Sequence, residues 1–309
     1  MKKFSNLPIK VEENIKLIES DNTSGSIELA RMAVKTIEIL VENISSENPD
    51  IFKSLVKETA LKLVNAQPSM ASIFTFANNL LLQIDKSYDT SKIKNIIERH
   101  CKRFANHLNN SSIKISKFTQ NMIKNDSKII THSYSSSVLN SLIFSKKQGK
   151  NFHVICTESR PINEGVKFAK KLGEAGIKVK LVTDAAIYNY IETSDMVIVG
   201  GDAIVEDGLV NKIGTLGLAI AAKHFNVGCY SLCGSEKILP ISYNLKIVKK
   251  NPSEITTSKI KNVAPINFYF DVTPVELFTG VITELGLKNQ TEIQTLIEEL
   301  TLHKLFENH

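Results

Sequence analysis

Near residue 127 the hydrophobic period of the chain changes, and with it the kind of structure the chain can build. Before that point apolar residues recur every three or four positions, the spacing of one helix face. Ile27, Ala30, Val34, Ile37, Val41 and Ile44 make one such face, opened by Gly25-Ser26. Ile51, Leu55, Leu61 and Val64 make a second. Pro68 suits a first helical turn, and Met70, Ile73, Phe74, Ala77, Leu80 and Leu81 follow it. A long periodic run from Ser91 to Ile123 completes the region, with Asn109-Asn110-Ser111-Ser112 as an expected fray or kink. No strand pattern stands out in this half.

From Lys128 onward short apolar runs alternate with helical ones. Strands are expected at 128–131, 152–156, 179–182, 196–199 and 228–232. Helices are expected between them at 135–145, 162–173, 184–193 and 215–224. Strands spaced by helices form a parallel sheet with right-handed crossovers. The expected fold class is therefore α/β, with a helical domain over 1–126 and a sheet domain over 127–309. At roughly 150 residues per domain, 309 residues fit two.

Composition excludes several classes. The chain is 42% hydrophobic and 23% charged, which is ordinary for a globular protein. A net charge of +6 is mild and its signs are interspersed, so nucleic-acid binding is not expected. No apolar run reaches the ~18 residues of a membrane span. Met1-Lys2-Lys3-Phe4-Ser5-Asn6 lacks the apolar core of a secretory signal. Cys101, Cys156, Cys229 and Cys233 show no zinc or redox spacing and read as free thiols of a cytoplasmic protein. Neither a metal site nor a cofactor is expected.

In parallel sheets, ligands sit at the carboxyl ends of the strands. The first such loop is Thr131-His132-Ser133-Tyr134-Ser135-Ser136-Ser137, whose hydroxyls and helix start could bind an anion or simply cap a helix. No Gly-x-Gly-x-x-Gly occurs there, so a dinucleotide site of the usual kind is not supported. The second loop, Thr157-Glu158-Ser159-Arg160-Pro161, offers Glu158 and Arg160 to each other or to a ligand. In the third, Asp184 is an expected helix cap. The fourth, Gly200 to Thr215, is the richest. Asp202 leaves a buried strand through two glycines, and Asn211 and Lys212 offer a donor and a cation to a phosphate. Lys237 adds a second cation. A small anionic, phosphorylated ligand at the sheet edge fits these loops, and physics alone does not name it.

The same residues carry a family resemblance. Thr131-His132-Ser133, Thr157-Glu158-Ser159-Arg160-Pro161, Gly200-Gly201-Asp202-Ala203 and Asn211-Lys212-Ile213-Gly214-Thr215 resemble one superfamily. It joins the regulatory subunits of translation initiation factor 2B with methylthioribose-1-phosphate and ribose-1,5-bisphosphate isomerases. Phe270 to Leu277 and Ile282 to Gly286 resemble its C-terminal stretch, and residues 68–80 a helix entry of its N-terminal domain. The resemblance implies a Rossmann-like second domain holding the ligand pocket. It also implies dimers or assemblies of dimers, and it admits translation initiation factor 2 as a partner.

Within that superfamily the residues point two ways. The isomerases carry a cysteine where this chain has Ser133, and it works with the aspartate matching Asp202 in proton transfer between C1 and C2. A thiol near pKa ~8.5 can be tuned to a thiolate, whereas a serine hydroxyl needs an activating base. The isomerases also have phosphate-binding arginines where this chain reads Thr23-Ser24-Gly25-Ser26 and Gln67-Pro68-Ser69. The resemblance thus makes Ser24, Gly25, Ser26 and Gln67 ligand-binding positions without guanidinium groups. Thr131-His132-Ser133-Tyr134-Ser135 matches the alpha-type regulatory subunits, while Asp202 matches the isomerases better. The expected function is an archaeal-type, initiation-factor-2B alpha-like protein that binds a phosphorylated metabolite without isomerase chemistry. The alternative is an aldose–ketose isomerase of a ribose phosphate. The expected ligand set is Ser24, Gly25, Ser26, Gln67, Ser135, Ser136, Glu158, Arg160, Asn211, Lys212 and Lys237, with Ser133 and Asp202 at the catalytic positions.

Overall fold

The computed structural model describes residues 7–21 and 24–307. Their Cα positions group into two compact units. One comprises Met1–Asn109, Ser242–Leu245 and Leu300–His309, and the other Asn110–Ile241 and Lys246–Glu299. The division falls inside a helix, whereas the change from helices to strands comes later, at Ser127.

In the first unit, α1 (Ile9–Ser20), α2 (Ser26–Asn43), α3 (Pro49–Ala66) and α4 (Ala71–Ile84) pack their apolar faces together, and the start of α5 (Thr90–Met122) buries Ile93, Ile97 and Phe104, the last against Phe76 of α4. The periodicity located α2 to α5. It did not locate α1, where only Val11, Ile15 and Ile18 are buried, a stripe too narrow to stand out. Asn48 caps α3 by accepting from Asp50 N and Ile51 N, with Pro49 at the first position, a combination that fixes the helix start. The helix does not fray at 109–112, and α5 is one uninterrupted helix of 33 residues. Phe52, Phe74, Phe76, Ile37, Leu40 and Leu63 form the core. Truncating one of these phenylalanines to alanine costs about 3–5 kcal/mol in such a setting.

The second unit holds a seven-stranded sheet in the order β10-β9-β7-β4-β1-β2-β3. Its strands are β1 (Ser127–Thr131), β2 (Phe152–Thr157), β3 (Lys178–Val182), β4 (Met196–Gly200), β7 (Gly228–Leu232), β9 (Gly280–Thr283) and β10 (Gly286–Lys288). All neighbours are parallel except β9 and β10. Helices α6 (Ser136–Lys147), α7 (Glu164–Glu174) and α9 (Thr215–His224) make crossovers, and α10 (Gln290–Glu298) follows the last strand. The expected helix over 184–193 is instead a 3₁₀ turn, Ala185–Ile187, and a single helical turn, α8 (Tyr188–Ile191). Central strand β4 is buried throughout, while edge strand β3 alternates lysines outward.

The loop over 200–215 is not a loop. Its β5 (Ala203–Val205) and β6 (Gly208–Lys212) form a hairpin, and β8 (Phe270–Thr273) joins β6 antiparallel. Glycines and acids there read as solvated chain, yet Leu209, Val210, Asn211 and Lys212 are all buried. Each hairpin strand is only three to five residues long, too short for alternation to register.

From β1 the chain winds through β2 to β3, then returns to β4 on the other side of β1. The β1–β4 boundary is therefore the topological switch point, where open α/β sheets form their ligand crevice. Ser133 follows β1 and Asp202 follows β4.

Candidate functional site

The loop after β1 is held by a chain of hydrogen bonds with one direction. The Ile213 carbonyl can only accept, so His132 Nε2, 2.8 Å away, carries the proton. Burial pushes the His132 imidazole down, although the Ile213 bond works against that shift, so the ring is neutral and Nδ1 accepts. Thr157 Oγ1 donates to Nδ1 at 2.6 Å, leaving it to accept from Ser159 Oγ at 2.8 Å. Ser159 Oγ in turn accepts from the Ser133 backbone N–H at 2.8 Å. Both His132 nitrogens are thereby engaged.

This network holds Ser133 and Ser159 at φ 69° and 62°, in the left-handed region. Such residues cost about 1–3 kcal/mol each and persist where surrounding contacts over-determine them. Asp184 supplies one of those contacts. It was expected to cap the following helix; instead it accepts from Ser159 N and Arg160 N, both at 2.8 Å. At Gly214, φ is +106° and a Cβ would stand 3.1 Å from His132 Nε2, so glycine keeps this corner open to the ring.

Ser133 points its hydroxyl at a residue the sequence reading passed over. Ser133 Oγ donates to Glu164 Oε1 at 3.0 Å. Lys212 Nζ lies 2.7 Å from the same oxygen, its side chain 5% exposed and that of Glu164 16%. The Lys212 ammonium also sits over the Tyr269 ring, 4.9 Å from its centroid. Beyond the ion pair, Lys212 Nζ has no hydrogen-bond partner, and Glu164 Oε2 has none. Glu164 opens α7 and resembled an ordinary acidic first-turn residue. Only the fold brings it to Lys212, so no local signal marked it.

Asp202 is half-buried beyond β4, its N–H bonded to the Val210 carbonyl at 2.8 Å. Burial pushes its carboxyl up; Lys237 and Lys212 pull it down, and Glu164 adds to the rise. Lys237 is buried and donates to the Gly201 carbonyl at 2.7 Å. Asn211 donates to Thr215 Oγ1 at 2.9 Å, and Thr215 Oγ1 donates to the Lys212 carbonyl at 2.6 Å. Asp271 on β8 caps the start of α9, accepting from Gly214 N at 2.7 Å and Leu216 N at 3.3 Å. Ser135 caps α6 by accepting from Val138 N at 3.4 Å, and half-buried Ser136 opens that helix. A Cβ on Gly200 would meet Ser135 at 2.6 Å and Asn211 at 3.6 Å, so this glycine lets the two loops close.

The second unit thus gathers Ser133, Ser135, Asn211, Lys212 and Lys237 with Asp202 at the switch point. Two expected ligand positions are employed differently. Arg160 is exposed and its guanidinium reaches the Glu254 and Ile255 carbonyls at 3.3 and 3.5 Å, not Glu158. Glu158 closes its loop through its backbone, its N–H on Val182 O at 2.8 Å and its carbonyl accepting from Gly165 N at 3.1 Å.

Ser24, Gly25, Ser26 and Gln67 belong to the first unit. Thr23 lies outside the described residues. Ser24 N donates to Asp21 Oδ1 at 2.9 Å, Gly25 is the N-cap of α2, and Ser26 is buried. Gln67 spends its amide N–H groups on the carbonyls of Ile18 and Asp21, at 2.7 and 3.0 Å, which ties the end of α1 to α3.

The arrangement presents fixed donors, two buried ammonium groups and a half-buried carboxyl, groups able to meet a small polar ligand. Among the described residues, no helix is long and apolar enough to cross a membrane. The chain is similar to known proteins along most of its length. A ribose 1,5-bisphosphate isomerase of Methanocaldococcus jannaschii is 32% identical over 295 residues, covering 92% of this chain and 93% of that protein. The translation initiation factor eIF2B subunit alpha of Dictyostelium discoideum is 33% identical over 281 residues, covering 83% and 87%. The crystal structure of the Pyrococcus horikoshii translation initiation factor eIF-2B superposes with a TM-score of 0.80 at 28% identity, covering 92% of this chain and 98% of the other. The pattern of the initiation factor 2 subunit family matches residues 22–290, and the chain belongs to that family.

Proposed function

We propose that the chain is an initiation factor 2B alpha-like regulatory protein that binds a phosphorylated metabolite, a sugar phosphate or nucleotide, without isomerising it. The observation that carries this reading is the state of Ser133. Aldose–ketose isomerisation needs a group poised near the working pH at that position. The Ser133 hydroxyl is instead spent as a donor to Glu164, whose carboxylate already pairs with Lys212. His132 has no free nitrogen to activate it. The buried ammonium group of Lys237 and the start of α6 support anion binding. Self-association, a cytoplasmic location and translation initiation factor 2 as a partner complete the proposal. Four buried, unpaired cysteines suit a reducing compartment.

A second reading keeps one specific support. The Asp202 carboxyl, raised by burial, suits an acid that shuttles protons for a ribose phosphate isomerase. The two readings share the pocket and differ in chemistry. Thermal melts with ribose 5-phosphate and nucleoside monophosphates test the pocket, because a ligand of the folded state raises Tm by mass action. A melt unmoved by millimolar concentrations of each would contradict both readings.

A further inference from the structure

The sequence presents Lys212 as a phosphate cation, but the fold gives that cation a partner of its own. Glu164 Oε1 sits 2.7 Å from Lys212 Nζ and also takes the Ser133 hydroxyl at 3.0 Å. The group is net neutral. It still holds unspent capacity of both kinds: the Lys212 ammonium bonds nothing else, and buried Glu164 Oε2 accepts from nothing. A buried polar atom without a partner costs free energy, so both atoms are suited to a ligand that completes them. A fully ionised phosphate monoester has oxygens for Lys212 but no proton for Glu164, and the charge of any phosphate would face the carboxylate at close range. A sugar hydroxyl has both, accepting from Lys212 and donating to Glu164 Oε2.

We propose that Glu164 is the specificity-determining residue of this site, making the Lys212 position a subsite for a sugar hydroxyl and turning anionic groups away from it. This rests on the metabolite-binding reading above and deepens it: the ligand is a sugar phosphate, seated with a hydroxyl at Lys212–Glu164 and its phosphate elsewhere.

Calorimetric titrations of the full chain with inorganic phosphate and with ribose 5-phosphate test this. The wild type should bind ribose 5-phosphate and discriminate against phosphate. Glu164→Gln should tighten phosphate at least about tenfold, since one close negative charge is gone, and should weaken ribose 5-phosphate. Glu164→Asp keeps the charge and should keep the wild-type ranking. Glu164→Gln with Lys212→Met should bind phosphate no better than wild type, because the gain needs the freed ammonium. This double variant also serves if a lone buried ammonium prevents Glu164→Gln from folding. Unchanged phosphate affinity in Glu164→Gln, or a gain in the double variant, would overturn the role of Glu164 while leaving the pocket intact. Absence of ribose 5-phosphate binding by the wild type would overturn the role of Glu164 and the sugar-phosphate reading together.

Discussion

The hydroxyl of Ser133 donates to the Glu164 carboxylate across 3.0 Å, and that carboxylate is the counter-ion of buried Lys212. The residue best placed for proton transfer is thus wired into a neutral ion-paired cluster. Stability and chemistry at the switch point both follow from this arrangement.

Removing one member of the pair should be costly. Lys212→Met leaves Glu164 charged, poorly solvated and without its cation, a loss of about 2–3 kcal/mol given that the carboxylate keeps some hydration. Lys212→Met with Glu164→Gln should lose less than Lys212→Met alone, since neither charge is stranded. Urea unfolding of both variants against wild type measures this, and a double variant that loses as much as Lys212→Met or more would contradict it.

Two histidines set an acid limit. His100 is pushed down to about 4, chiefly by burial, with the Phe76 carbonyl bond opposing and Arg103 assisting. His132 is also lowered, again chiefly by burial. The unfolded chain binds both protons near pH ~6.5, while the folded chain resists them, so stability should fall as pH drops below that value. For His100 the penalty grows down to about pH 4 and amounts to roughly 3 kcal/mol there. His100→Gln should flatten that part of the stability curve. An unchanged slope between pH 6.5 and 4 would show that His100 protonates freely in the folded state.

Asp271→Ala removes the side-chain cap on the backbone N–H groups of Gly214 and Leu216. Loss of such a cap costs about 1 kcal/mol. Hydrogen exchange should rise selectively in the first turn of α9, and a uniform rise across the unit would contradict a local capping role.

Much of this was legible in the sequence, for reasons of length and period. Helices α2 to α5 and the five strands β1, β2, β3, β4 and β7 repeat often enough to register, as α2 and β4 do. The hairpin of β5 and β6 was not legible, because glycines and acids in short strands resemble a solvated loop. At the site, Ser133, Asp202 and Lys212 were legible because strand ends are where ligands bind. Glu164 was not, since its partner is 48 positions away in a hairpin that had not been foreseen. Asp184 looked like a helix cap because aspartate before a helix usually is one, yet here the left-handed Ser159 turns two N–H groups toward it.

Self-association is expected from apolar surface in the second unit. Ile266, Leu285 and Leu287 are 60%, 53% and 48% exposed, and β10 is an edge strand. Sedimentation at micromolar concentration should show a dimer or larger species; a lone monomer would contradict this.

The central claim is binding without isomerisation, and phosphorus NMR of the wild-type protein with ribose 1,5-bisphosphate tests it most directly. The account predicts that the ligand resonances shift or broaden on binding and that no ketose product accumulates above the uncatalysed rate. Ser133→Cys should change this little. General acid–base help at that position is worth about 10²- to 10⁴-fold, but Glu164 and Lys212 still hold residue 133 in the ion-paired cluster. Conversion to the ketose by the unmutated chain over many turnovers, abolished by Asp202→Asn, would contradict the account and establish the isomerase.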